Sequence, residues 1–86
     1  MTFEVRLSKR ACRELVALQQ PTQSRIVERL EELKDDPFPQ GVAKLQGRED
    51  TYRVRVGDYR ILYEVLRKES LVLVEKIDHR GSVYGP

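Results

Sequence analysis

The chain has 86 residues, 35% of them charged, with a net charge of +2. That length builds one small domain, here residues 1–86, burying roughly three-fifths to two-thirds of its unfolded surface. A lone cysteine, Cys12, excludes an internal disulfide, and no apolar run approaches the length of a membrane span, so a soluble cytoplasmic protein without membrane contact is expected.

The first ten residues, MTFEVRLSKR, lack the apolar stretch of a secretory signal. Phe3, Val5 and Leu7 alternate with Glu4 and Arg6, the period of a half-buried strand. Ser8 is placed to cap a helix with the apolar stripe Ala11, Cys12, Leu15 and Leu18, which ends at Gln19, Gln20 and Pro21. Beside Ala11 and Leu15, Cys12 reads as a packing residue rather than a nucleophile. Pro21 suits the first turn of a second helix, with Ile26, Val27, Leu30 and Leu33 on one face and Asp36 and Pro37 as its stop. The two helices form a hairpin.

The segment Pro37 to Asp50 reads as a loop pinned to the core through Val42 and Leu45. Three strands complete the chain: Thr51 to Val56, Tyr59 to Leu66, and Leu71 to Asp78. The order β-α-α-β-β-β predicts an α+β fold, with the helical hairpin on one face of a small antiparallel sheet and the opposite face open. Basic residues gather in this second half, at Arg53, Arg55, Arg60, Arg67, Lys68, Lys76 and Arg80, so a polyanion is steered there and nucleic acid is a plausible partner.

Gly57 and Asp58 form a two-residue hairpin turn, which sets Val56 opposite Tyr59, Arg55 opposite Arg60, Val54 opposite Ile61, Arg53 opposite Leu62 and Tyr52 opposite Tyr63. Alternation sends Tyr52, Val54, Val56, Tyr59, Ile61 and Tyr63 to the core and Arg53, Arg55 and Arg60 to the other face. Like charges directly opposite across strands are unfavourable, so Arg55 and Arg60 either bind an anion, with phosphate the natural match to guanidinium, or fan into solvent and pair with Asp58 or Glu64. If Leu66 pairs with Leu71, then Leu62, Leu66, Leu71, Leu73 and Ile77 join the arginine face. They either line an apolar groove for a partner segment or make a second small core. In that register Arg60 lies near Ile77, and Asp78, His79 and Arg80 leave the strand near the turn, so that four basic side chains converge.

The early strand, the helical hairpin, the segment KLQG, the block YRVRVGDYRILYEV and the ending IDHRGSVYG together resemble the RelE/ParE superfamily of bacterial and archaeal toxins, and within it the RelE-type mRNA interferases. The resemblance implies the RelE-like microbial RNase fold. It also implies a toxin that cuts mRNA in the ribosomal A site without metal or cofactor, through attack of the 2′-hydroxyl, with the ribosome, mRNA and a cognate antitoxin as partners. The family's two basic residues before the turn fall on Arg53 and Arg55, its phosphate-holding arginine on Arg60, its C-terminal acid or leaving-group stabiliser on Arg80, and its base-stacking tyrosine on Tyr84. Fixed positive charge suits a phosphoryl transfer, and stacking a base on an aromatic ring contributes on the order of 1 to 3 kcal/mol.

Well-known members carry lysines where this chain has Arg53 and Arg55, and arginine is a poor proton acceptor. His79 and Glu64 are the acid/base candidates, the first because it titrates near neutrality and the second because it shares the arginine face. Two further readings exist: a ParE-like toxin that poisons DNA gyrase without cutting RNA, and an inactive basic RNA-binding module in which the arginines only position phosphates.

Overall fold

The computed structural model describes residues 2–79. Its elements are β1 (Glu4–Leu7), α1 (Lys9–Ala17), α2 (Thr22–Asp35), β2 (Ala43–Lys44), β3 (Thr51–Val56), β4 (Tyr59–Leu66) and β5 (Leu71–His79). They make one five-stranded sheet in the order β1-β5-β4-β3-β2, with both helices against one face. The predicted α+β architecture is present, with two additions. β1 runs parallel to β5, with Glu4 opposite Leu71 and Leu7 opposite Val74, because the helical hairpin returns the chain across the sheet before the meander begins. The segment expected to be a loop contributes β2, whose Ala43 and Lys44 pair with Arg53 and Tyr52.

Ser8 caps α1 by accepting from the Ala11 N–H (3.0 Å), and its hydroxyl also donates to the Glu75 carbonyl (2.7 Å), fixing the helix start to β5. Ala11 is fully buried while Leu15 and Leu18 pack partly on the core. Cys12, expected in that stripe, is exposed, because the buried arc of this short helix is centred on Ala11. Pro21 stands one position earlier than expected, as the N-cap of α2. Ile26, Leu30 and Leu33 are buried at i, i+4, i+7 spacing, but Val27 lies past the edge of the stripe and is 41% exposed.

On the sheet, the core comprises Val54, Ile61, Tyr63, Val65, Val72, Val74 and Ile77, together with the helical residues above. The hairpin register is the predicted one pair for pair, from Val56 opposite Tyr59 to Tyr52 opposite Tyr63. Gly57 has φ +60°, the left-handed conformation that glycine adopts without penalty at the first position of a type II′ turn. Leu66 does pair with Leu71, but the β4–β5 ladder shifts by one residue next to Leu62 and Tyr63. Tyr63 faces Val74 while Leu62 faces Lys76, leaving Glu75 as the extra residue of a β-bulge.

The bulge corrects the expectation for Ile77. A regular ladder carries Ile77 to the arginine face; the extra residue returns it to the core, where it is 4% exposed. It also sets Asp78, not Ile77, opposite Arg60.

Candidate functional site

The sheet face away from the helices is organised by two cross-strand rows. Arg53, Leu62 and Lys76 form one, and Arg55, Arg60 and Asp78 form the next, nearer the Gly57 turn. Between them lies a concavity of about 150 Å³, lined by Leu45, Arg53, Arg60, Leu62, Lys76 and Asp78. Leu45, expected to pin its segment to the core, is a wall of this concavity instead. The backbone bonds from Leu45 N to Thr51 O (2.8 Å) and from Arg48 N to Leu45 O (3.3 Å) turn the chain over the open face.

Arg60 is only 5% exposed, while Arg55, directly opposite, is exposed. A guanidinium cannot lose its proton in this range, so a nearly buried one is a fixed positive charge in a medium where charge interactions are stronger than in water. Arg53, Arg60 and Lys76 thus line one space, and basic side chains gathered around a space can receive a phosphate group. The sequence pattern does not place Lys76 here, because only the bulge turns it to this face.

Among the described residues, one carboxylate lines the concavity. Asp78 accepts from Lys76 Nζ at 3.0 Å and from Arg10 Nη2 at 3.5 Å, and its side chain is 13% exposed. Arg10 also bonds Glu14 at 3.0 Å, and these neighbours, Glu14 foremost, raise the guanidinium above its ordinary value. Glu14 in turn accepts the Ile77 N–H at 2.8 Å, satisfying a strand donor beyond the end of β1. Through Ser8, Arg10 and Glu14, helix α1 holds β5 on both sides of the bulge. None of these long-range contacts has a local sequence signal.

The acid/base candidates are not brought to Arg60. His79 lies opposite Tyr59, its ring edge-on to the tyrosine at 4.9 Å, and alternation from Asp78 turns it to the other face. Glu64 faces Thr51 and Leu73, four residues along β4 from Arg60, a span of about 13 Å at strand rise. Arg53, Arg55 and Arg60 share one face; Arg80 and Tyr84 lie outside the described residues. Among the described residues, no group of three or more His, Cys, Asp or Glu side chains is arranged to hold a metal, and no helix is long and apolar enough to cross a membrane.

A helical pair on a five-stranded sheet, with a nearly buried arginine in a concavity lined also by Arg53 and Lys76, defines a small α+β protein with a candidate anion site. Residues 5–84 match the family of the ParE toxin of type II toxin-antitoxin systems. The chain is 32% identical over 87 residues to RelE1 of Methanocaldococcus jannaschii, covering 98% of this chain and 97% of that protein. Among solved structures it is similar to the archaeal RelE–RelB complex of Pyrococcus horikoshii OT3, with a TM-score of 0.83 at 34% identity, covering 94% of this chain and 98% of that one. The toxin-antitoxin complex RelBE2 of Mycobacterium tuberculosis is similar with a TM-score of 0.80 at 29% identity, covering 93% and 100%. The chain belongs to the RelE/ParE family of toxins of type II toxin-antitoxin systems.

Proposed function

We propose that this toxin is a ribosome-dependent mRNA endonuclease acting in the cytoplasm. The observation that carries this reading is Arg60: a nearly buried guanidinium in a concavity shared with Arg53 and Lys76, on a sheet face open enough to admit a nucleic-acid backbone. A phosphodiester seated there has its non-bridging oxygens against Arg60, with Arg53 and Lys76 alongside. The adjacent 2′-hydroxyl attacks phosphorus, the bond to the 5′-oxygen breaks, and a 2′,3′-cyclic phosphate and a 5′-hydroxyl result. Fixed cations stabilise the charge that grows on the pentacoordinate phosphorus, and the site contributes by position and field rather than by covalent chemistry. Arg55, exposed beside the turn, holds the neighbouring backbone. In this proposal Arg80 stabilises the leaving oxygen and Tyr84 stacks on a base.

The related toxins of known structure include complexes with RelB antitoxins. A cognate antitoxin with acidic residues would neutralise this toxin by covering Arg53, Arg55 and Arg60. Primer extension on a translated reporter mRNA after induction tests the activity: cuts within codons are expected from the wild type and not from Arg60→Ala, Arg80→Ala or Tyr84→Ala.

A second reading, gyrase poisoning without RNA cleavage, is favoured by one observation: the matching family model is that of ParE toxins. Growth arrest with intact mRNA would move the case to gyrase or another target.

A further inference from the structure

The side chains lining the concavity are donors or apolar, with one exception. Arginine and lysine carry N–H groups and no acceptor, and leucine has neither. Among the described residues, Asp78 is the single side chain lining it that accepts a hydrogen bond. A carboxylate in an anion site opposes the binding of phosphate, so its presence opposite Arg60 calls for a ligand group that donates.

Its geometry meets that need. Asp78 stands directly across from Arg60 in the β4–β5 ladder, and its carboxylate is steadied by Lys76 through one oxygen and by Arg10 through the other. Those contacts use two of roughly four lone-pair positions, leaving acceptor capacity. The other carboxylates of this face are engaged elsewhere or distant: Glu75 bonds Arg48 at 2.7 Å, and Glu64 is four residues along the strand.

We infer that Asp78 receives the 2′-hydroxyl of the ribonucleotide whose 3′-phosphate sits on Arg60, selecting RNA over DNA and accepting the hydroxyl proton during cleavage. The inference rests on the cleavage reading for its second half only. In the step, the 2′-oxygen bonds to phosphorus as its proton passes to an Asp78 oxygen. The phosphorus–O5′ bond breaks, the departing oxygen takes a proton from water, and Asp78 later releases its own to solvent. Lys76 and Arg10 are positioning residues that hold the carboxylate.

Two probes separate recognition from chemistry: adenosine 3′-monophosphate and 2′-deoxyadenosine 3′-monophosphate, titrated into the chain and followed by amide NMR shifts. Neither carries a leaving nucleoside, so binding is read without cleavage. The wild type is expected to prefer the ribonucleotide by about tenfold, as for a hydrogen bond to a charged acceptor. Asp78→Ala should bind both equally, with affinity for the deoxynucleotide kept or increased because a negative charge has gone. Asp78→Asn retains an acceptor oxygen and should keep much of the preference, yet cut ribosome-bound mRNA at least about 100-fold more slowly, the range of a lost general base.

Equal binding of the two nucleotides by the wild type would overturn the inference, as would a preference that survives Asp78→Ala or a parallel loss of both affinities. Cleavage by Asp78→Asn at the wild-type rate would overturn the proton-accepting half. A wild type that never cuts mRNA removes that half with the cleavage reading, while the nucleotide titration still decides the recognition half.

Discussion

Arg48 Nη2 lies 2.7 Å from Glu75 Oε2, joining the turn after β2 to the bulged residue of β5. Both side chains are partly exposed, 47% for Arg48 and 27% for Glu75, so solvent screens their attraction. Arg48→Ala and Glu75→Ala should each lower unfolding free energy by less than about 1 kcal/mol. The larger effect is local: amide exchange at Leu45 and Arg48 should quicken in both variants, and added salt should reproduce part of it in the wild type.

Ile77 tests the bulge. Because the extra residue returns it to the core, Ile77→Ala should destabilise by about 2 to 5 kcal/mol in denaturant titration. A regular ladder would place Ile77 on the open face and make the same substitution nearly silent.

Tyr63 is fully buried and donates its hydroxyl to the Pro37 carbonyl at 2.6 Å. Tyr63→Phe leaves that carbonyl without its donor and should cost about 1 to 3 kcal/mol. Burial also pushes the phenol above its ordinary value of 10.0. The folded state therefore resists ionisation that the unfolded chain undergoes freely, so this contribution is complete below pH 10 and is lost as pH rises towards the folded value. Thermal melts should show a fall in stability above pH 10 that Tyr63→Phe reduces.

Arg55 and Arg60 face one another but differ in burial, and the difference should appear in binding. Arg60→Ala is expected to weaken phosphate or oligonucleotide affinity by about 10- to 100-fold, the loss of a charged hydrogen-bonding group. Arg55→Ala should weaken it only a few-fold and lower the magnitude of the salt slope by about one. Equal losses would place both guanidiniums in the same contact with the ligand.

The Gly57–Asp58 turn explains why so much of the arginine face is legible in sequence: a two-residue hairpin fixes register, and register fixes face. Leu66 opposite Leu71 follows from a short connection in the same way. The bulge is different, since Val74, Glu75 and Lys76 carry no turn residue to announce it, and a one-residue shift moved Ile77 inward while bringing Lys76 and Asp78 to the site. Cys12 and Val27 show the limit of helical periodicity, which identifies an apolar stripe more securely than its edges. Ser8 caps α1 as its position predicts, yet its second bond, to the Glu75 carbonyl, joins positions 67 residues apart and has no local sign. Glu14 on the Ile77 N–H is hidden for the same reason.

The parallel pairing of β1 with β5 has a consequence for synthesis. Among the described residues, β1 finds its neighbour in β5, and the Ser8, Arg10 and Glu14 contacts of α1 are also to β5. Until that strand leaves the ribosome, the helical hairpin faces an incomplete sheet and loop closure over most of the chain remains to be made. Lys76 and Asp78 arrive on the same segment. A nascent chain that has not completed β5 therefore lacks both the neighbour of β1 and two walls of the concavity, so the sheet and the concavity are finished by the same strand.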